Sequence, residues 1–366
     1  MGLSVGGRLY LSGHTASEFD KIEKRILVRG DMVMQARTAY KKIGAILEAA
    51  GGSFSDVVRI VEYLKPDGIE RYGEAVAVRK EVFGSHQPTV NTVPVKSLLR
   101  ADAFIEIEIT AVTPSHQKTI ERSAAESDKS SGLIFLPTIM PLDRDGNLVG
   151  ANDIVAQTEV IFSTAERMLR NLGLSLDQVV KTVEYISPDG LADYRRTGDV
   201  RRSFLGPVYP AAAGIVMPRL IHPEALIQYD FIASRDTPIA INPGWSRYDK
   251  LTYNPGVRAG DILFLAGQGS VNPETGEVEH LGNIGNQAEY IYDNIFKVIQ
   301  ATGGTTRNLI KTIEYVVPGA LSNYRDVGAV RSQALSEPFP VSTGLVCDAL
   351  LRQDMLLEVD PLAVIG

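Results

Sequence analysis

The octapeptide VEYLKPDG at residues 61–68 returns almost letter for letter as VEYISPDG at 183–190, and a looser copy, IEYVVPGA, begins at Ile313. A chain that writes one strand-like segment three times is built from a repeated supersecondary unit, which limits its fold more than any bulk property does. The same order of signals surrounds each copy. An opening strand comes first, in GRLYLSGHTA, GLIFLPTIMP and DILFLAGQGS. A helical stretch follows, carrying Gln35, Gln157 or Gln287 and ending at AAGGS, RNLGLS or ATGGT, where Gly suits the left-handed position beyond a helix. The Glu-bearing strand comes next (VVRIVEYL, VVKTVEYI, LIKTIEYV), closed by Pro66, Pro188 or Pro318. A second helix and two more strands complete the unit, the last strand reading AFIEIEITAV, ALIQYDFIAS or MLLEVDPLAV. Each unit therefore reads β–α–β–α–β–β. Three such domains are expected at residues 1–115, 123–236 and 244–366, with polar, Pro-containing connectors near Pro114–Glu121 and Asp236–Pro243.

Composition narrows the function classes. A formal charge of −7, with no long run of Lys and Arg, argues against a nucleic-acid partner. The single cysteine, Cys347, excludes an intrachain disulfide and a Cys-based zinc site, and is read as a core residue in a protein of a reducing, cytoplasmic compartment. His86, His116, His222 and His280 have no ligand spacing, so no metal is expected. Neither a dinucleotide-binding glycine pattern nor a P-loop is present, so no cofactor is expected. No signal-peptide pattern opens the chain, and no apolar run approaches a membrane span, so no membrane partner is expected.

The segment FLAGQGSVNPETGEV (Phe264–Val278) resembles the reactive intermediate deaminase (Rid/YjgF) family, which carries an SGQ loop followed by a D/N-P-x-T-G-E turn. The Gln-bearing helix, the strand after a Gly-rich helix end and the E-I-E type closing strand match as well. The resemblance implies α+β domains of chorismate-mutase-like fold. It also implies homotrimers with intersubunit clefts, and metal-free, cofactor-free hydrolysis of enamines and imines. One chain with three copies is then expected to fold as an intrachain pseudo-trimer, with association into a homo-oligomer left open. The family's Arg in P-A-R-S, which grips a substrate carboxylate, is replaced here by Val90, Ala212 and Ser342.

Candidate site residues follow from the repeat and the resemblance. By resemblance Glu108, Asp230 and Asp360 align with the family's water-positioning carboxylate, and acidic neighbours suit acid/base work by raising a pKa. In the opening loops, Ser12, Gly13 and Gly267 offer backbone N–H groups to a developing negative charge. His14 reads either as a proton shuttle or as a turn cap, and Gln268 as a group that orients a water or a carbonyl. Strand alternation puts Val183 and Tyr185 on one face and Glu184 on the other. The apolar face is expected on the helices, and Glu62, Glu184 and Glu314 on the opposite face, toward the domain interfaces. Arg79, Arg201 and Arg331 recur at a constant interval after these glutamates. Two readings stay open for that series: interface-locking ion pairs, or a substrate clamp of Arg with a proton-moving Glu.

The three clefts are expected to be unequal. The second copy has Pro137, Thr138 and Pro141 in its loop, and Gln228 where the others have Glu106 and Glu358. The reading is a cofactor-free, deaminase-like hydrolase of a small imine, enamine or cyclic amide-like metabolite, working in an inter-domain cleft. The alternative is a non-catalytic small-molecule-binding or chaperone-like protein whose sites have decayed.

Overall fold

The computed structural model describes residues 1–112 and 132–366. The connector at Pro114–Glu121, with His116, lies outside the described residues. Three long helices, Met32–Ala49, Ile154–Asn171 and Ile284–Gln300, carry the recurring glutamines. Asp31, Asp153 and Asn283 cap their N-termini by accepting backbone N–H groups. Gly51, Gly173 and Gly303 lie beyond their C-termini at φ of 75°, 73° and 79°, a conformation glycine adopts without a Cβ penalty. The buried glutamines are clips. In the first repeat Gln35 donates to the carbonyls of Gly30 and Asp102 at 3.1 Å and accepts from Phe104 N–H at 2.8 Å, tying the helix to the turn before the last strand. Gln157 and Gln287 make equivalent bonds to Leu226 and Leu356.

The Glu-bearing strands are Val57–Leu64, Val179–Ile186 and Leu309–Val316. Each pairs parallel with the strand that follows the second helix (Thr89–Pro94, Ala211–Val216, Val341–Val346) and antiparallel with the closing strand (Ile105–Val112, Ile227–Ser234, Leu357–Val364). A parallel pair needs a crossover, which the second helices supply at Tyr72–Phe83, Thr197–Phe204 and Arg325–Ala334. In the first repeat the hairpin of Gly2–Val5 and Arg8–Leu11 completes the sheet, and in the third that of Gly256–Ala259 and Ile262–Leu265 does so.

Alternate residues of each sheet enter different cores. Ile60, Leu64, Ile105, Ile107 and Ile109 pack under the first helices with Tyr40, Ile43 and Leu47. Val61, Tyr63, Val183, Tyr185, Ile215, Tyr315 and Leu345 meet in one core to which all three sheets contribute. Short strands also cross between repeats. Ser97–Leu98 joins the third repeat's sheet beside Val346 and Leu345, and Ala349–Leu350 joins the second's beside Val216 and Ile215.

This corrects the expected face of the glutamates. The Val/Tyr side faces the other sheets, and the Glu side faces the repeat's own helices. Glu62 accepts from Tyr40 Oη at 3.0 Å and Tyr72 Oη at 2.6 Å, and pairs with Arg79. Glu184 pairs with Arg201 at 3.0 Å and accepts from Tyr194. Glu314 accepts from Tyr292 Oη at 2.9 Å and Tyr324 Oη at 2.5 Å, with Arg331 Nε at 3.5 Å. The physical reason is that the helices bring their own hydroxyls and guanidinium, so a buried carboxylate is satisfied there. The opposite face must close against two other sheets. The recurring Glu thus fastens the second helix to its own sheet.

Candidate active-site cleft

The closing-strand acids do reach across between repeats, and the groups that meet them come from the motif itself. Lys311 pairs with Glu108, Lys181 with Asp360, and Arg59 lies 3.7 Å from Asp230. Each repeat thus offers a cation to the closing strand of another. Arg59, Lys181 and Lys311 each stand three positions before the recurring Glu, in VRIVEY, VKTVEY and IKTIEY. That constant basic position was the signal for these pairs, and it lies in the quoted octad's own strand. Glu108 also accepts from Thr343 at 2.8 Å, and Lys181 donates to the Leu265 carbonyl at 2.6 Å. Asp230 accepts from Thr138 at 2.6 Å and is held up at about 6, by burial against the opposing field of Arg59.

Two positions earlier on the closing strands, Glu106 and Glu358 have a different setting. Both are pushed up to about 8, first by burial and then by the neighbouring acid, Glu108 or Asp360. Glycine makes room for them. A Cβ on Gly13 would overlap Glu106 Oε1, and one on Gly267 would overlap Glu358 Oε1. In the second repeat Thr138 stands at that place; its hydroxyl also receives Thr92 N–H at 3.0 Å, while Gln228 turns to the Thr92 carbonyl at 3.0 Å. Between the first and second repeats the loop glycine and the buried acid are thus replaced by Thr138 and Gln228, each hydrogen-bonded to Thr92 of the first repeat.

The cleft between the second and third repeats is open. A cavity of about 170 Å³ is lined there by the Gly267–Gly269 loop, Ala212–Gly214, Glu184, Tyr194, Arg201, Arg247, Tyr248, Tyr253, Arg352 and Glu358, with Val271, Leu351 and Met355 as its apolar wall. Gln268 is buried, and its side chain meets the Tyr248 hydroxyl. Arg201 is held by Glu184, by Thr197 at 2.8 Å and by Thr252 at 2.9 Å. The Gly267 N–H is taken by the Ala212 carbonyl at 2.9 Å, so it does not point into the cavity as a free donor.

The cleft between the first and third repeats has the same plan. Thr343 replaces Ala213 and accepts from Gly13 N–H at 2.9 Å, while Ser12 accepts from Ser342 N–H at 3.3 Å. The His14 ring lies 3.5 Å from the Met1 amino group. Burial first, and then the positive charges of that amine and Lys42, hold the imidazole down at about 4, so it stays neutral through the neutral range. Arg79 and Arg331 remain paired inside their own repeats. Cys347 is fully buried. No group of metal-ligating residues occurs among the described residues.

Several cavity residues had weaker sequence signals. Arg247, Tyr248 and Tyr253 belong to the stretch before the third opening hairpin, which the first repeat lacks, so repetition could not mark them. Arg352 stands where Arg100 and His222 stand in the other copies.

With this geometry established, the relatives can be placed. A family model described as endoribonuclease L-PSP matches residues 2–113 and 248–365. The chain belongs to the endoribonuclease L-PSP family. The two matched segments are the L-PSP repeats whose loops keep the glycine that accommodates a buried Glu. Among curated L-PSP relatives, a RutC family protein of Synechocystis sp. is 30% identical over 113 residues, 31% of this chain and 85% of the relative. The 2-iminobutanoate/2-iminopropanoate deaminase of Escherichia coli is 30% identical over 136 residues, 36% of this chain and 95% of the relative. In fold, 85% of the chain superposes on 93% of a chorismatase crystal structure, with a TM-score of 0.55 at 16% identity. Rid-like domains of α+β, chorismate-mutase-like fold thus cover the chain.

Proposed function

We propose that this L-PSP protein is a cofactor-free, deaminase-like hydrolase of a small imine or enamine, working in the cleft between its second and third repeats. The observation that carries this reading is Glu358: a buried carboxyl that keeps its proton at neutral pH, beside an open cavity. A protonated carboxyl donates to the imine nitrogen, which makes the carbon electrophilic; the resulting carboxylate takes a proton from the water that adds there. The carbinolamine then receives that proton on nitrogen, and the C–N bond breaks to give a carbonyl and ammonia as the hydroxyl proton passes to the Glu358 carboxylate. Glu358 ends as it began. Gln268, anchored against Tyr248, orients the water. The names of the Escherichia coli relative and of a 3-aminoacrylate deaminase RutC of Acinetobacter baylyi, 30% identical over 105 residues, support the reaction class.

The domain boundaries 1–115, 123–236 and 244–366 belong to the same proposal. The three sheets stand in for three subunits as a pseudo-trimer, and their shared core supports that arrangement. The Glu106 cleft, with Ser12, Gly13 and His14, is the second candidate. Glu108, Asp230 and Asp360 support these sites by fixing the closing strands through buried ion pairs. Arg201 and Glu184 form one wall, and Arg79, Glu62, Arg331 and Glu314 hold the corresponding helices.

The test is ammonia release from imines and enamines generated in situ, with wild type and Glu358→Gln. Release by wild type that Glu358→Gln abolishes is the expected result. A non-catalytic binding protein is favoured by the replacement of the loop glycine and the acid by Thr138 and Gln228 in the second repeat, and equal background release from both proteins would contradict the hydrolase and favour that alternative.

A further inference from the structure

Arg247 and Arg352 line the open cavity, and neither has a carboxylate within ion-pairing distance among the described residues. Half-buried cations without counter-charges are costly to keep, and they commonly mark the place of an anion. The third guanidinium, Arg201, is already neutralised by Glu184. Glu358 holds a proton and brings no negative charge at neutral pH. The lining as a whole is therefore doubly positive.

A second observation points the same way. Outside the cavity the surface continues as an open basic vestibule, shared with it at Tyr194, Arg201, Arg247 and Arg352 and extended by Arg195, Arg202 and Lys250. Of these, Arg202 is paired with Asp199 at 2.9 Å. In a chain of net charge −7, such a local field draws anions toward this mouth.

Arg247 is also built into place. Its guanidinium packs over Gly276, at φ 78° in the Asn272–Glu277 turn, and its neighbour Ser246 donates to Glu274 at 2.9 Å. The Tyr253 phenol lies beside the Arg247 guanidinium in the cavity wall. A Cβ on Gly276 would come 3.0 Å from Arg247 Nε, so the turn leaves room for the guanidinium.

We propose that Arg247 and Arg352 are the two anchors of a substrate carrying two separated carboxylates, with Ala212, Ala213, Val271, Leu351 and Met355 against its apolar middle. Arg247 and Arg352 thereby supply from new positions the carboxylate grip that Val90, Ala212 and Ser342 cannot give. The proposal rests on the reading of this cleft as the substrate site, and it deepens that reading to a dicarboxylate class.

The test measures binding and not turnover, by calorimetry on the full chain. The probes are glutarate and isophthalate against the monoanions butyrate and benzoate. The expected result is dianion binding about tenfold or more tighter than the matched monoanion, each anchor supplying roughly one charge-assisted contact. Arg247→Gln and Arg352→Gln should each remove that preference, and Arg→Lys at either place should restore part of it. Thermal unfolding of each variant verifies that it is folded. Equal affinity for dianions and monoanions, or no measurable binding of either, overturns the proposal, as does an unchanged preference in both Gln variants. Ammonia release from monocarboxylate enamines with no dianion preference would sink the two-anchor clamp and leave the hydrolase standing. Dianion preference with no ammonia release from any imine would do the reverse.

Discussion

A carboxyl group that stays protonated at neutral pH is the central residue-scale feature. Activity that needs Glu358–H should fall as pH rises through about 8. Glu358→Gln should lower kcat by about a hundredfold or more, in the range that positioned acid–base groups contribute. A stability consequence has the same sign. The folded-state value of about 8 lies above the ordinary 4.5, so the folded protein holds a proton that the unfolded chain has lost. That contribution is full below about 4.5 and disappears as pH climbs toward 8. The melting temperature of wild type should therefore drop across that window, and Glu358→Gln should flatten the drop; parallel profiles for the two proteins would contradict the assignment. Gly267→Ala tests the space rather than the charge. Its methyl would meet both the Glu358 carboxyl and the Ala213 methyl, costing about 1–3 kcal/mol of stability by overpacking and displacing the acid. The expected outcome is a folded protein, seen by circular dichroism, with activity lost.

At the scale of elements, the decisive device is a cation on one repeat's central strand meeting the acid on another's closing strand. Lys181→Met leaves Asp360 buried without a partner and should cost about 3–5 kcal/mol in denaturant unfolding. Lys181→Met combined with Asp360→Leu should recover most of that loss, since two apolar groups need no compensation. A double variant no more stable than the single would contradict the pairing. The main strands and helices and their order were legible in the sequence, because each rests on local signals: the period-two alternation of VKTVEY, the glycines after the helices, the prolines after the strands. Strand parity was legible too, for Glu184 opposes Val183 and Tyr185. The side each face takes was not. It depends on which partner brings hydroxyls and guanidinium, and Tyr40, Tyr72 and Arg79 reach Glu62 only once the helices are docked.

The whole molecule joins three helix-backed sheets through one apolar core and two exchanged edge strands. Such interlocking predicts one cooperative unfolding transition, with coincident fluorescence and circular dichroism curves; a separate early transition of one repeat would contradict it. The departure of the second loop was legible from Pro137 and Gln228, because a proline and a missing acid can be read directly. The cavity's occupants Arg247, Tyr248 and Tyr253 were not, since they come from a stretch present in one copy only. Glu108 and Asp360 were expected to hold water, and in the fold each is engaged by a lysine, while Glu358 takes the place beside the cavity. The order of the clefts, second–third before first–third, follows from the cavity beside Glu358. Its most direct test is the rate of ammonia release by Glu358→Gln and Glu106→Gln, measured side by side on one substrate. Glu358→Gln is expected to be inactive, and Glu106→Gln to keep most of the wild-type rate. Loss of activity in Glu106→Gln with Glu358→Gln unimpaired would contradict it.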